Sequence, residues 1–197
     1  WGSAWPASFP FAPISSESIS GDAQEIAGFS SRGPSDDRRI KPDVVAPGTD
    51  ILSCKSRLAP NRSFWGHHTN QDYAYNGGTS MAAPLVAGCA AIVRQYYKQE
   101  RGYDEPSAAL VRATIINGAR WLSGIHATGS HAPGPGNFDQ GFGCVDMTSS
   151  IPADASFKLA YVDAWKTPNF ILLGRAAAKM WLVRAVDSLL AHKAGTL

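Results

Sequence analysis

The sequence predicts an α/β fold in which short strands precede one long apolar helix. Two short apolar runs, residues 44–45 and 49–53, lie beside proline turns, as strands between turns often do. From Thr79 to about Arg101, apolar residues recur every 3.6 positions with small residues among them. We therefore expect this helix to be the buried central element. Its apolar face consists of Met81, Leu85, Val86, Cys89, Ile92, Val93, Tyr96 and Tyr97.

The remaining elements are predicted from turn signals and periodicity. Residues 19–26 are expected to enter a strand, and residues 73–75 form another strand that runs into Asn76. A second helix opens at Pro106-Ser107 and ends near Gly118, whereas residues 123–143 are predicted to be a loop. Beyond it, residues 157–163 alternate like a strand, and residues 174–192 have helical periodicity.

Composition excludes several classes of protein. Hydrophobic residues make up 44% and charged residues 17% of the 197, which is too apolar for a disordered chain. The net charge of +2 is scattered, so we expect no nucleic acid partner, and no stretch is apolar enough to span a membrane. Three widely spaced cysteines form neither a metal nor a disulfide pattern. The first residues lack a signal-peptide pattern and an initiator Met, so we expect the gene to begin upstream and leave localisation open.

Ser80 is the main nucleophile candidate because it follows two glycines and opens the long helix. A serine hydroxyl needs exposure, orientation, a base and an oxyanion hole to act as a nucleophile. Gly77 and Gly78 allow backbone conformations closed to other residues, and a first helical turn offers unpaired N–H groups to an oxyanion. Alternatively, Thr79 or Ser80 is an ordinary N-cap. Pro84 is expected in the first turn, where its missing N–H is harmless.

Residues 76–84, Asn-Gly-Gly-Thr-Ser-Met-Ala-Ala-Pro, closely resemble the nucleophile signature of the subtilase family, Gly-Thr-Ser-Met-Ala-(Ser/Ala/Thr)-Pro. Other segments resemble those that precede this signature in the family, in the same order and at similar spacing: residues 29–34, 41–48 and 51–53. Phe64-Trp65, residues 73–75 and residues 137–143 narrow the resemblance to alkaline, oxidation-tolerant subtilases with a trailing β-sandwich. The resemblance covers residues 24–163.

The resemblance implies a parallel sheet with helices on both faces and a central helix that begins at Thr79. Ser80 would be the nucleophile and an oxyanion donor, Thr79 would support the oxyanion hole, and Asn76, Gly77 and Gly78 would line the substrate cleft. The family's catalytic Asp and His precede the nucleophile, yet neither an Asp-Thr-Gly nor a His-Gly-Thr pattern occurs here. We therefore expect a partial subtilisin-like parallel sheet, truncated on its N-terminal side.

Without the family's Asp and His, the identity of the base is open. His67 and His131 are the candidate bases, and a solvated loop position is the alternative interpretation of each. Loss of triad members leaves about 10³–10⁴ of rate enhancement over water, so activated esters should remain better substrates than peptides. The expected function is a serine hydrolase, ancestrally an endopeptidase acting through an acyl-enzyme. The alternatives are an esterase that uses Ser80 with another base, and a non-catalytic remnant that oligomerises.

The chain is divided into an irregular segment (1–23), the C-terminal part of a catalytic domain (24–163) and a divergent helical tail (164–197). No cofactor is expected from the residues. The family often binds calcium, and Asp36, Asp37 and Asp139 offer oxygens, but they lack EF-hand spacing and a solvated acidic loop is the alternative. The expected partners are a peptide or ester substrate and a second copy of the chain covering the truncated sheet.

Overall fold

The protein is a mixed α/β structure with a small sheet and several helices, which confirms the predicted fold class. The computed structural model describes residues 1–60, 64–129, 136–152 and 159. The regular elements are a 3₁₀ turn (Ile14–Ser16), strands β1 (Ile51–Cys54) and β2 (Tyr73–Asn76), and helices α1 (Thr79–Gln99), α2 (Ala108–Gly118), α3 (Ile125–Thr128) and α4 (Met147–Ser150). None of the described helices is both long and apolar enough to cross a membrane.

The sheet in the described residues is antiparallel, whereas the sequence led us to expect parallel strands. β1 and β2 pair along their whole length, with Ile51 opposite Asn76 and Cys54 opposite Tyr73. They are consecutive in the chain and joined by a loop, a connection that favours antiparallel pairing. Among the described residues, parallel pairing is limited to one isolated bridge, between Val45 and Cys144.

Two predicted strands are absent. Residues 19–26 form turns, although Ile26 is buried. The strand expected at residues 44–45 is reduced to the Val45 bridge. Pro42 and Pro47 flank this short run, and a proline has no N–H with which to continue a ladder.

Helix α1 begins at Thr79, as predicted, and ends at Gln99, two residues before the predicted end. The chain then turns at Gly102, whose φ of 63° lies in the left-handed region that glycine favours. After this turn the Tyr103 N–H donates to the Tyr97 carbonyl at 2.9 Å. The helix end is therefore set where the sequence has its first glycine after the apolar run.

Helix α2 also starts where the sequence predicts. Ser107 is its N-cap, and the Ser107 hydroxyl accepts a 3.0 Å hydrogen bond from the Leu110 N–H. At Gly118 an added Cβ would lie 2.2–2.5 Å from atoms of Ser150. Glycine at this position therefore lets α4 pack directly against the end of α2.

The main core lies between the second half of α1, α2 and α4. Its buried side chains are Val93, Tyr96, Tyr97, Leu110 and Ile115. Each such side chain contributes about 1.5–3 kcal/mol relative to an exposed position. Core packing is thus concentrated at the C-terminal end of α1, away from Ser80.

The expectation that α1 is buried along its apolar face is wrong for the part of the helix before Val93. Leu85 is 42% exposed and Ile92 is 50% exposed, while Met81, Val86 and Cys89 are only partly buried. Among the described elements, the helix that packs along α1 is α2, so one side of α1 faces solvent. Helical periodicity identifies an apolar face but does not say whether another element covers it.

The segment predicted to be a loop at 123–143 contains α3 and a buried polar network around Asn137 and Gln140. The strand predicted at 157–163 lies outside the described residues, apart from Leu159, which packs against the main core. The helix predicted at 174–192 and the candidate base His131 also lie outside the described part of the chain. The three domain boundaries stay predictions.

Candidate functional site

Ser80 lies in the first turn of α1, immediately after the turn that leaves β2. Asn76 is the last residue of β2, and Gly77 and Gly78 make the connection to the helix. The Gly78 N–H donates to the Gly48 carbonyl at 2.7 Å, which ties this connection to the turn that leads into β1. The start of α1 is therefore held by backbone contacts from the Pro47-Gly48 turn.

The N-cap of α1 is Gly78, not Thr79 or Ser80. Gly78 has a φ of 144°, which L side chains rarely adopt, and no side chain caps the helix. Thr79 and Ser80 are both exposed, and the Ser80 hydroxyl has no hydrogen-bond partner among the described residues. The interpretation of Thr79 or Ser80 as an ordinary N-cap is thus wrong, and the Ser80 hydroxyl is not engaged in holding the helix.

The backbone at Ser80 offers an unpaired donor. The Met81 N–H donates to the Gly78 carbonyl at 3.0 Å, but no described acceptor takes the N–H of Thr79 or Ser80. Such groups at a helix N-terminus carry the positive end of the helix dipole. An oxyanion formed beside the Ser80 hydroxyl would therefore find a donor on the same residue.

Pro84 lies inside α1 rather than in its first turn, contrary to the sequence prediction. Because the helix begins at Thr79, Pro84 is its sixth residue. The missing N–H of Pro84 is the one that would have bonded to the Ser80 carbonyl four residues earlier. The backbone of Ser80 consequently lacks its usual helical hydrogen bond at the carbonyl.

Gly77 has a packing requirement that the sequence alone did not reveal. An added Cβ at Gly77 would lie 2.3 Å from Cζ2 and Cη2 of the Trp65 indole. The Gly77 N–H donates to Asn76 Oδ1 at 2.9 Å, so the Asn76 side chain folds over its own turn. The signal for this contact was the paired glycine, which we had assigned to backbone freedom and substrate access.

The described histidines form no hydrogen bond with Ser80. His67 is exposed and makes no hydrogen bond or ring contact with another described residue. His68 Nδ1 accepts from the Asn70 N–H at 3.1 Å, and its ring packs against the rings of Tyr73 and Tyr75. His126 Nε2 lies 2.8 Å from Glu17 Oε2. The structure therefore brings no described base to the Ser80 hydroxyl.

Two of the acidic residues considered for calcium, Asp37 and Asp139, are engaged by neighbouring side chains. Asp37 accepts hydrogen bonds from Ser35 and Arg39, and these bonds lower the pKa of the Asp37 carboxyl. Asp139 forms an ion pair with Arg32. Among the described residues, no group of three or more His, Cys, Asp or Glu side chains could hold a metal ion. The described residues thus show no such cluster, and calcium binding stays a prediction.

Asp43 is the most strongly paired carboxylate near the core. Partial burial raises its pKa, but hydrogen bonds from Lys41, at 2.5 Å, and from Arg112 outweigh burial and hold the pKa below the ordinary value of 3.8. Burial also raises the pKa of the Cys144 thiol above its ordinary value. Asp43 is paired with Arg112 of α2, and neither Asp43 nor Cys144 belongs to the nucleophile turn.

A serine exposed at a turn from a strand into a helix is a position that known serine nucleophiles occupy. The family model described as "Subtilase family" matches residues 6–145, more than half of the chain. This protein belongs to the subtilase family, and membership supports the serine protease class. The narrower subgroup of oxidation-tolerant subtilases stays a prediction.

The chain is also similar to several individual proteins. Pyrolysin of Pyrococcus furiosus is 35% identical over 148 residues, which cover 74% of this chain and 9% of pyrolysin. Subtilisin-like protease SBT4.9 of Arabidopsis thaliana is 33% identical over 143 residues, which cover 72% of this chain and 19% of SBT4.9. The CspB protease of Clostridium perfringens superposes with a TM-score of 0.46 at 27% identity, over 64% of this chain and 23% of that one. The chain thus spans less than a fifth of each of these two curated relatives.

Proposed function

We propose that this chain carries the nucleophile portion of a serine hydrolase, ancestrally an endopeptidase that acts through an acyl-enzyme. The observation that carries the proposal is the Ser80 hydroxyl, which is exposed on the first turn of α1 and does not cap the helix. The unpaired Ser80 N–H supplies the oxyanion donor, and Thr79 supports the same turn. Asn76, Gly77 and Gly78 form the adjoining wall of the substrate site.

The chemistry requires a proton acceptor. Ser80 Oγ attacks the carbonyl carbon of the substrate, its proton passes to a base, and the carbonyl oxygen becomes an oxyanion beside the Ser80 N–H. Collapse of this intermediate expels the leaving group and forms the acyl-enzyme, which water then hydrolyses. An amine leaving group must be protonated, whereas a nitrophenolate need not be. With no described base on Ser80, activated esters are therefore the substrates that this chain should cleave best.

Fluorophosphonate labelling tests the nucleophile directly. The wild type should be labelled, Ser80→Ala should not, and Ser123→Ala should be labelled like the wild type, because Ser123 is an exposed serine outside any helix. Hydrolysis of p-nitrophenyl acetate should disappear with the label. Absence of labelling in all three proteins, or equal labelling of Ser80→Ala, would overturn the assignment.

Comparing two substrates separates the protease from the esterase alternative. Casein cleavage that depends on Ser80 would support an endopeptidase, and ester cleavage without casein cleavage would support the esterase with another base. His67→Ala then tests one candidate base: if His67 acts, the variant loses the acidic limb of the pH–rate profile for ester cleavage. An unchanged profile would direct attention to His131.

Exposed apolar side chains on α1 favour a second candidate, an oligomer in which another copy covers this helix. Leu85 and Ile92 lie on the apolar face of α1 and are about half exposed. Sedimentation velocity should show a mass above that of one chain, and Leu85→Ser with Ile92→Ser should shift it toward the monomer. A monomeric wild type would remove this candidate.

A further inference from the structure

Two Asn-Gly pairs occur in this chain, at Asn76-Gly77 and at Asn117-Gly118. In such a pair the backbone nitrogen of the glycine can attack the side-chain amide carbon of the asparagine, because glycine has no side chain to hinder the approach. The attack requires that this nitrogen lose its proton and that the backbone rotate toward the asparagine side chain. The structure around each pair therefore decides how readily the pair reacts.

The first pair lies in an open connection. Asn76 ends β2 and is exposed, and Gly77 lies outside both β2 and α1. The Gly77 N–H donates to Oδ1 of Asn76 at 2.9 Å, so the attacking nitrogen already lies beside the amide group that it would attack. No backbone carbonyl in the described part of the chain accepts this N–H. The reacting groups are thus adjacent, accessible to water and free of helical or sheet hydrogen bonds.

The second pair lies inside packed secondary structure. Asn117 and Gly118 are the last two residues of α2, and Gly118 is buried. An α-helical N–H at the Gly118 position bonds to the carbonyl four residues earlier, which belongs to Thr114. An added Cβ at Gly118 would lie 2.2–2.5 Å from atoms of Ser150, so α4 packs directly on this backbone. Cyclisation at Asn117 would therefore require local opening of α2 and α4.

We infer that Asn76 is a site of spontaneous deamidation, which places a negative charge and an isomerised backbone next to the nucleophile turn. The Gly77 nitrogen forms a bond to Cγ of Asn76, the Cγ–Nδ2 bond breaks, and ammonia leaves with the proton that Gly77 gives up. Water then opens the cyclic imide at either of its two carbonyl carbons, which yields aspartate or isoaspartate. Water is the only other reactant that the two steps consume.

The products would change the surroundings of Ser80. The new carboxylate lies four residues before Ser80, and its charge opposes the oxyanion that forms beside the Ser80 N–H. Isoaspartate also adds its own Cβ carbon to the main chain between β2 and α1. The effect on turnover rests on the proposed function of Ser80, whereas the modification itself does not.

Peptide mass mapping of protein kept in mildly alkaline buffer, either folded or in urea, measures both sites at once. Trypsin releases the two pairs on separate peptides, residues 63–94 and residues 113–120. The ratio of the Asn76 rate to the Asn117 rate should be at least about tenfold higher in the folded protein than in urea, because only Asn117 needs local opening. A smaller increase would overturn the inference.

Isoaspartate labelling by a protein isoaspartyl methyltransferase gives a second readout on the folded protein. Asn76→Ser should remove most of the label that accumulates with time. Asn117→Ser is the matched control and should accumulate label like the wild type. Label that persists in Asn76→Ser and disappears in Asn117→Ser would assign the modification to the wrong pair and overturn the inference.

The effect on Ser80 is tested with two variants at one position. Asn76→Asp should hydrolyse p-nitrophenyl acetate with a kcat/KM about two- to fivefold below that of Asn76→Ser at low salt, and the difference should shrink as salt screens the added charge. Equal values at low salt would overturn the link to the nucleophile. Deamidation of Asn76 in a protein without ester turnover would support the modification site and count against the nucleophile.

Discussion

Replacing Gln140 with leucine should destabilise this protein, because it removes the hydrogen bonds of a fully buried side chain. The Gln140 side chain is fully buried and makes three hydrogen bonds. Its Oε1 accepts from the Leu122 N–H at 2.8 Å, and its Nε2 donates to the carbonyls of Leu122 and Ala127 at 3.0 and 2.9 Å. One side chain thereby supplies partners to both polar groups of Leu122, a residue that belongs to no strand or helix.

The expected cost follows from those orphaned groups. Gln140→Leu keeps most of the volume but leaves the Leu122 N–H and carbonyl without their partners, at about 1–3 kcal/mol each. The Ala127 carbonyl still accepts a hydrogen bond from Asn137 Nδ2 at 2.8 Å, so the free-energy cost at this carbonyl is smaller than at Leu122. We expect the free energy of unfolding to fall by about 2–6 kcal/mol and the melting temperature by about 4–24 °C.

Urea denaturation followed by circular dichroism measures this change, with melting temperature as a second readout. Gln99→Leu is the control, because Gln99 is exposed and accepts only from Gln95 four residues away. The control should change the free energy by less than about 0.5 kcal/mol. If Gln140→Leu changed the free energy of unfolding as little as Gln99→Leu, the view that the Gln140 side chain stabilises the segment after α2 would be refuted.

Three further predictions concern α1 and the carboxylate behind it. Gly88→Ala should stabilise the protein by about 0.5–1 kcal/mol in thermal unfolding, because glycine weakens a helix interior. An added Cβ at Gly88 meets nothing within 4 Å, so a loss of stability would mean that another element covers this face. Pro84→Ala should raise the free energy of unfolding in urea by about 1–3 kcal/mol, because alanine restores the N–H donor for the Ser80 carbonyl. A lower free energy of unfolding would show that the Ser80 carbonyl already has another hydrogen-bond donor. Because the pKa of Asp43 is lower in the folded state, its contribution to stability is present above pH 3.8 and is lost as the pH falls through the folded value. Urea midpoints between pH 6 and pH 2 should therefore decline less steeply in Asp43→Asn than in the wild type, and parallel curves would contradict the pairing with Lys41 and Arg112.

Features governed by neighbouring residues could be predicted from the sequence. The start of α1 at Thr79 follows from two glycines before a run with helical spacing, and the start of α2 follows from Pro106-Ser107. The subtilase family was recognised from a short contiguous signature around Ser80, which the family model confirms over residues 6–145. These signals depend on local backbone preferences and on the order of motifs, and both can be determined from the sequence without the tertiary structure.

The tertiary structure alone decided which residues meet across the chain. Trp65 packs against Gly77, and the Gln140 side chain hydrogen-bonds to the backbone of Leu122. The sequence at these positions does not predict which residues are in contact. The sequence established the apolar face of α1 and the serine at its start. Only the tertiary structure showed that part of this face is exposed, because burial depends on distant segments of the chain. Only the tertiary structure showed that Gly78 rather than Ser80 caps the helix, because residue type does not uniquely specify the backbone angles of a cap.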